Sequence, residues 1–357
     1  MKFKNTFLDQ LEPYSPGEQP KTKNYIKLNT NENPFPPSKH VINSLKKFDF
    51  NNIRKYPDPS SLKLKEVLGQ KFNLSRDNVF VGNGSDEVLS LIFLAFFRGK
   101  KILFPEITYS FYSSFAKLAL GKFKTIPLEE DFSINLEKYN KTAYGIIFPN
   151  PNAPTGISIG YEKIKSFIRY HSDKLIIIDE AYADFNSFNC IDLVKKFSNL
   201  IIVRTFSKSY SLAGLRIGFC LANKSIIKQL LKVKNSFNSY PVDQLSEIAA
   251  INAIKDNSYF NEIINKIKKN RVWLEKKFTE MGYNFIKSDA NFILLKSKKI
   301  SAKQLYLNLK SKGILVRYFS NPKKLCSYIR ITIGSFIDCQ KLVNFLKIND
   351  GDDFEKS

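Results

Sequence analysis

The stretch IIVRTFSKSYSLAGLRIGF, residues 201–219, sets a single lysine among hydroxyls just after an apolar run. Ile201, Ile202 and Val203 read as a short buried strand, followed by a loop with Thr205, Ser207, Lys208 and Ser209. A free lysine amine titrates at roughly 10.4, so Lys208 can act as a nucleophile near neutrality only if its surroundings tune it. The hydroxyls can donate to a phosphate, and Arg216 offers a planar fork suited to the same anion. Taken alone, the segment is equally well read as a polar surface loop. In KLIIIDEAYADF, residues 174–185, Asp179 ends an apolar strand and Tyr182 follows three residues later. A carboxylate at the mouth of an apolar sheet is costly unless a cation or a donor meets it, and a protonated pyridine nitrogen would do so. In NVFVGNGSDEV, Gly82 and Gly84 permit a tight turn from strand to helix, with Ser85 or Asp86 expected at the N-cap. Such a junction suits a phosphate, though by itself it is also an ordinary capped turn.

The elements that must position these groups alternate. Strands are expected at 79–81, in KKILF, KFKTIPL, TAYGIIF, KLIII, NLIIV and RIGFCLA, with helices between them. This pattern predicts an α/β fold with a mostly parallel central sheet flanked by helices. In such sheets ligands sit beyond the carboxyl ends of the strands, where Gly84–Asp86, Tyr109, Asn152, Asp179 and Lys208 all fall. The large domain is expected over 38–245 and a smaller α+β domain over 246–357, the latter beginning in a lysine-rich helical region at about 243–281. Residues 1–37, rich in Pro and Asn, read as an irregular segment that packs with the small domain and over the site.

Composition narrows the class. The 357 residues are 43% hydrophobic and 25% charged, ordinary for a soluble globular protein. The net charge of +23 could suit nucleic acid, but the lysines are spread along the chain and only nine of the 56 basic residues are arginine, so no nucleic-acid partner is expected. A positive field would still attract small anionic substrates. The opening residues lack an apolar signal core, and the longest apolar stretch, Val88 to Phe97, is too short to span a membrane. Four cysteines without CxxC spacing and two histidines give no metal pattern, and the chain reads as cytoplasmic.

KYPDP, GNGSDE, the Tyr109 segment, PNAPTG, DEAYADF, RTFSKSYSLAGLRIGF, GILVR and YIRITIG occur in the order found in fold-type I pyridoxal-phosphate aminotransferases. With LNTNENP, the chain most resembles the histidinol-phosphate aminotransferase family, from about residue 28 to 335. The resemblance implies that Lys208 forms a Schiff base with pyridoxal 5'-phosphate and shuttles the substrate proton. Asp179 would pair with the pyridinium nitrogen and Tyr182 with the ring oxygen O3′. Tyr109 would stack on the ring, while Gly84, Ser85, Asp86, Thr205, Ser207 and Arg216 would hold the phosphate. Tyr56 would reach the cofactor of a neighbouring subunit, implying a homodimer with shared sites. Many relatives carry two asparagines before PTG; here Asn152 is followed by Ala153, so either Asn152 contacts O3′ through a shifted loop, the favoured reading, or Tyr182 works alone. Arg317, Arg330 and Tyr14 would bind substrate, with Arg330 turned away from its core-facing neighbours Ile329 and Ile331 by the two-residue period. The implied reaction moves an amino group from L-histidinol phosphate to 2-oxoglutarate, a step of histidine biosynthesis. An aromatic amino-acid aminotransferase and a threonine-phosphate decarboxylase on the same scaffold are the alternatives, and a basic nucleic-acid-binding protein is a remote one.

Overall fold

The computed structural model describes residues 6–11, 17–20, 25–139 and 142–349. Tyr14 lies outside them. The first elements are a two-residue strand β1 (Ile26–Lys27) and helices α1 (Lys39–Lys46) and α2 (Leu62–Lys71). Seven strands then build the main sheet: β2 (Val79–Asn83), β3 (Lys101–Pro105), β4 (Lys122–Ile126), β5 (Gly145–Pro149), β6 (Leu175–Asp179), β7 (Leu200–Thr205) and β8 (Ile217–Ala222). Helices α3 (Gly84–Phe96), α4 (Phe111–Leu118) and α5 (Tyr161–Tyr170) lie between them in sequence, and α6 (Lys224–Phe237) and α7 (Gln244–Lys255) follow.

The strand order is β2-β8-β7-β6-β5-β3-β4. From β7 through β4 every pairing is parallel, and β8 alone runs against its neighbours. Period-two alternation explains why the strands are apolar throughout: Ile146, Ile176, Ile178 and Ile202 face one layer of helices, Ile147, Ile177 and Ile201 the other. Helices α3, α4 and α6 cover the latter face, while α2, α5 and α7 pack into the former. This is the expected α/β architecture of a mostly parallel sheet flanked by helices.

The lysine-rich helical region is not continuous. It breaks at Asp256, whose carboxylate accepts from Tyr259 N at 3.2 Å and caps α8 (Asn257–Glu280). Ala249, Ala250, Ala253 and Ile254 of α7 pack in the large-sheet core, whereas Ile264, Ile267, Leu274 and Phe278 of α8 pack in the second core. We therefore propose that the change of domain falls within α8. The second core encloses β9 (Phe285–Ile286), β10 (Phe292–Lys296), α9 (Ala302–Ser311), β11 (Ile314–Leu315), β12 (Arg317–Tyr318), β13 (Tyr328–Thr332) and α10 (Phe336–Asn349). Its sheet, β12-β13-β10-β9, is antiparallel. The opening segment joins this part: β1 pairs with β11, and Leu28 is buried in the small core.

A buried ion cluster ties β6 to β7. Arg204 Nη1 donates to Glu180 Oε2 at 2.9 Å, and Nη2 donates to Asp184. Removing one partner of a buried pair strands the other charge, so Arg204→Met is expected to lower unfolding free energy by about 3–5 kcal/mol. Urea denaturation of the purified protein reads this directly, and a loss below about 1 kcal/mol would contradict it.

Candidate active site

A cleft of about 770 Å³ opens where β2, β6 and β7 end. Because β8 is antiparallel, its beginning lies at this same edge, which brings Arg216 to the strand ends that the sequence placed together. The cleft wall carries Ser85, Asp86 and Tyr109 on one side and Asp179, Tyr182 and Lys208 at its base. Thr205, Ser207 and Arg216 form another part, and Arg317 and Arg330 of the small domain complete it. Gly84 and Asn152 are set back from the wall, and Tyr56 lies elsewhere on the surface.

The helix start differs from the expected cap. Helix α3 begins at Gly84 after Asn83, so Ser85 and Asp86 lie in its first turn, where backbone N–H groups have no intrahelical acceptor. Two glycines make the approach possible. Gly84 has φ +78°, and a Cβ there would stand 2.6 Å from Arg216 Nη2; a Cβ on Gly218 would stand 2.2 Å from Ser85 N. Arg216, itself at φ +50°, donates to Ser207 Oγ at 3.3 Å and to Asp86 Oδ2 at 3.1 Å. Thr205 Oγ1 accepts from Ser207 N at 3.1 Å and shapes the turn. Cation, hydroxyls and helix dipole thus converge on one anion-binding corner.

Asp179 is buried, its Oδ2 accepting from Tyr112 Oη at 2.8 Å and its Oδ1 from Ala181 N at 3.1 Å. Neither donor is cationic, and burial pushes the carboxyl up to about 6. Lys208 shows the converse: burial, and then the charge of Arg330, push its amine down to about 8, while Nζ donates to Thr30 O at 3.2 Å. Tyr109 Oη donates to Asp86 Oδ1 at 2.6 Å, which fixes its ring on the cleft wall. The loop of Lys208 is clasped from above by Asn33 Nδ2, which donates to the Lys208 and Ser209 carbonyls at 3.2 Å each. From below, Ser209 Oγ donates to Asp184 Oδ2 at 2.6 Å.

Arg317 and Arg330 are direct cross-strand partners on β12 and β13. Like charges in that register repel, and a bound anion relieves the repulsion. Ile329 and Ile331 are fully buried on the opposite face, as the alternation required. Phe292 and Phe319 lie 5.3 and 5.6 Å from the Arg330 guanidinium and shield it.

In this structure the Asn152 side chain binds its own and the neighbouring loop. Its Nδ2 donates to Ile107 O at 3.0 Å and to Thr155 Oγ1 at 3.1 Å, and its Oδ1 accepts from Thr108 Oγ1 at 3.0 Å. The amide is spent on holding its own loop and has no hydrogen left for a ring oxygen. Sequence reasoning missed Tyr112, Asn31 and Asn33. Tyr112 lies in the first turn of α4, three residues after Tyr109, which precedes the helix, and the two rings meet edge-on at 5.7 Å. The two asparagines carry no local signal, because their contacts with Tyr182 and Lys208 span more than 150 residues.

The pattern of the aminotransferase class I and II family matches residues 23–346, and the chain belongs to that family. It is 48% identical to the histidinol-phosphate aminotransferase of Brachyspira hyodysenteriae over 327 residues, 91% of this chain and 92% of the relative. Its fold matches the crystal structure of the histidinol-phosphate aminotransferase from Clostridium acetobutylicum with a TM-score of 0.83 and 28% identity, covering 91% of this chain and 98% of the other. The Sinorhizobium meliloti histidinol-phosphate aminotransferase in complex with pyridoxal-5'-phosphate matches with a TM-score of 0.79 at 24% identity, covering 89% of each chain.

The cofactor is pyridoxal 5'-phosphate, and the residues fit it. A buried carboxylate lacking a cation suits a protonated ring nitrogen, the tuned amine suits an aldehyde, and the corner at α3 suits a phosphate. No described helix is long and apolar enough to cross a membrane, and no cluster that could hold a metal occurs among the described residues.

The Lys208 amine yields a pH prediction. With its midpoint at about 8, the neutral amine is present above that pH and is lost as pH falls through it. At pH 7 about a tenth of the molecules carry it, against roughly one in three thousand for an unperturbed lysine. The rate at which the cofactor-free protein gains its visible band on mixing with pyridoxal 5'-phosphate should therefore rise with pH and level off above about 8. A rate still climbing steeply at pH 9.5 (roughly a unit below an ordinary lysine midpoint) would show that Lys208 is not tuned.

Proposed function

We propose that the chain transfers the amino group of L-histidinol phosphate to 2-oxoglutarate, giving imidazole-acetol phosphate and glutamate, the transamination step of histidine biosynthesis. The observation that carries the reading is a second anion site, Arg317 beside Arg330, in the same cleft as the lysine and the first anion corner. Planar forks accept a phosphate or a carboxylate in two-pronged fashion, so one pair of arginines serves the phosphorylated amino donor and the oxo-acid acceptor in turn. The relative from B. hyodysenteriae, similar over nine-tenths of the chain, supports the same substrate.

Pyridoxal phosphate supplies an electron sink for the negative charge left when the substrate's α-carbon loses its proton. The protein does the rest. Ser207, Arg216 and the first turn of α3 bind the phosphate, and Tyr109 orients the ring. Asp179 keeps a proton on the ring nitrogen, because a buried carboxylate is stabilised by the cation it faces. Tyr182 donates to the ring oxygen. Arg317 and Arg330 would orient the substrate, and Lys208 would take the proton from its α-carbon and deliver it to the cofactor's C4′. Phe292 and Phe319 keep water from the guanidinium and so strengthen its hold.

Adding histidinol phosphate to the cofactor-loaded protein should bleach the visible band in a single turnover, and 2-oxoglutarate should restore it. Bleaching by phenylalanine alone would indicate an aromatic aminotransferase, and carbon dioxide release from threonine phosphate without an oxo acid would indicate a decarboxylase. Arg330→Lys should raise the KM for histidinol phosphate about tenfold or more while leaving cofactor affinity close to wild type, since a point charge cannot replace a fork.

The working form in this reading is a cytoplasmic homodimer. Tyr56 is 80% exposed and stacks on Tyr240 at 4.7 Å, and Phe50 and Ile53 of the preceding segment are exposed as well, side chains suited to contact with a second copy. If Tyr56 serves the neighbouring site, Lys208→Ala and Tyr56→Ala chains combined in one dimer rebuild one complete site. Co-refolding them should recover up to about a quarter of wild-type activity. No gain over the Tyr56→Ala protein alone would remove the shared site.

A further inference from the structure

Asn31 belongs to the opening segment, yet its side chain ends at the base of the cleft. It is buried, with φ +55°. Its N–H donates to Thr332 Oγ1 at 3.0 Å, and the Thr332 hydroxyl in turn donates to Asn31 Oδ1 at 3.2 Å. Asn291 Nδ2 donates to the Asn31 carbonyl at 3.0 Å. With Oδ1 committed to Thr332, the amide presents Nδ2, which donates to Tyr182 Oη at 2.9 Å. The residue is thus pinned to β13 and to Asn291, just before β10, while it touches a tyrosine three residues beyond the end of β6.

A phenol oxygen that accepts a hydrogen bond retains its single proton to give, and successive hydrogen bonds polarise one another. We propose that Asn31 is a positioning residue. It occupies the acceptor side of Tyr182 Oη, and so commits the phenol proton to the cleft as a donor to the cofactor's ring oxygen O3′. Asn152 cannot share the task, because its amide hydrogens are spent, and Ala153, which lines the cleft, has no side-chain donor. The proposal rests on the pyridoxal-phosphate reading of the site. Other charges act on the same groups. Arg330, Asp179 and Asp86 act on Tyr182, and Arg330, Glu32, Asp86 and Arg216 on Lys208; all stay in place in the variants below.

The test is a pH titration of the visible band of the cofactor-loaded protein without substrate. Losing a donor at O3′ destabilises the form with negative charge on that oxygen, so the midpoint moves up. Asn31→Gly keeps the left-handed backbone while removing the amide, and is expected to raise the midpoint by roughly half to one pH unit. Asn31→Asp should raise it further, since its carboxylate takes the phenol proton for itself. Thr332→Val, which releases the amide's orientation, should move it the same way by less, and gives an independent reading should Asn31→Gly fold poorly. Tyr182→Phe should raise the midpoint by itself, and adding Asn31→Gly to it should then change nothing. A residue that only braces the fold would lower the melting temperature and leave the midpoint in place. It could also shift the midpoint equally with and without the Tyr182 hydroxyl. Either result overturns the proposal. A wild-type protein with no visible band would overturn the cofactor reading, and this proposal with it.

Discussion

The site depends on a carboxylate buried where no cationic side chain meets it. Asp179 ends β6, is held by the Tyr112 phenol and one backbone N–H, and is driven towards its neutral form by burial. A protein gains nothing in stability from such an arrangement unless a ligand brings the missing positive charge. The rest of the cleft is arranged around that position. The anion corner, the tuned lysine and the Tyr182 phenol all line the same cleft, where strand ends leave polar groups without sheet partners.

The topology that permits this contains one reversal. Had β8 run parallel to the other strands, Arg216 would lie at the opposite edge of the sheet from Gly84 and Asp179. Reversed, it approaches the first turn of α3 so closely that glycine is required at both Gly84 and Gly218. The arginine accepts a left-handed backbone in return for contact with Ser207 and Asp86. Local strain of this sort persists only where surrounding packing enforces it, and here two fully buried strands do.

The opening segment, irregular by composition, is structural. It adds β1 to β11, buries Leu28 in the small core, and sends Asn31 to the Tyr182 phenol and Asn33 to the Lys208 loop. Small domain, segment and large domain therefore share hydrogen bonds at the point where chemistry occurs. The lysine loop is clasped by Asn33 above and by the Asp184–Arg204–Glu180 ion cluster below, so Lys208 sits on a rigid mount. Its lowered amine midpoint follows from that confinement, because a mobile lysine would reach water.

Local signals in the chain determined a good deal. Short continuous apolar runs ended in charged or hydroxylated residues, and that pattern alone placed Asp179, Lys208 and the Gly84–Asp86 turn at one edge of a parallel sheet. Alternation around Arg330 correctly set it opposite two buried isoleucines. Such readings succeed because strand periodicity and turn chemistry are properties of neighbouring residues. The reversal of β8, the pairing of Arg317 with Arg330, the break of the long helix at Asp256 and the donor to Tyr182 were decided by the tertiary structure. The case of Asn152 shows why most plainly. Its type and position allowed a cofactor contact, but an amide has two hydrogens, and only the folded loops settle which acceptors claim them.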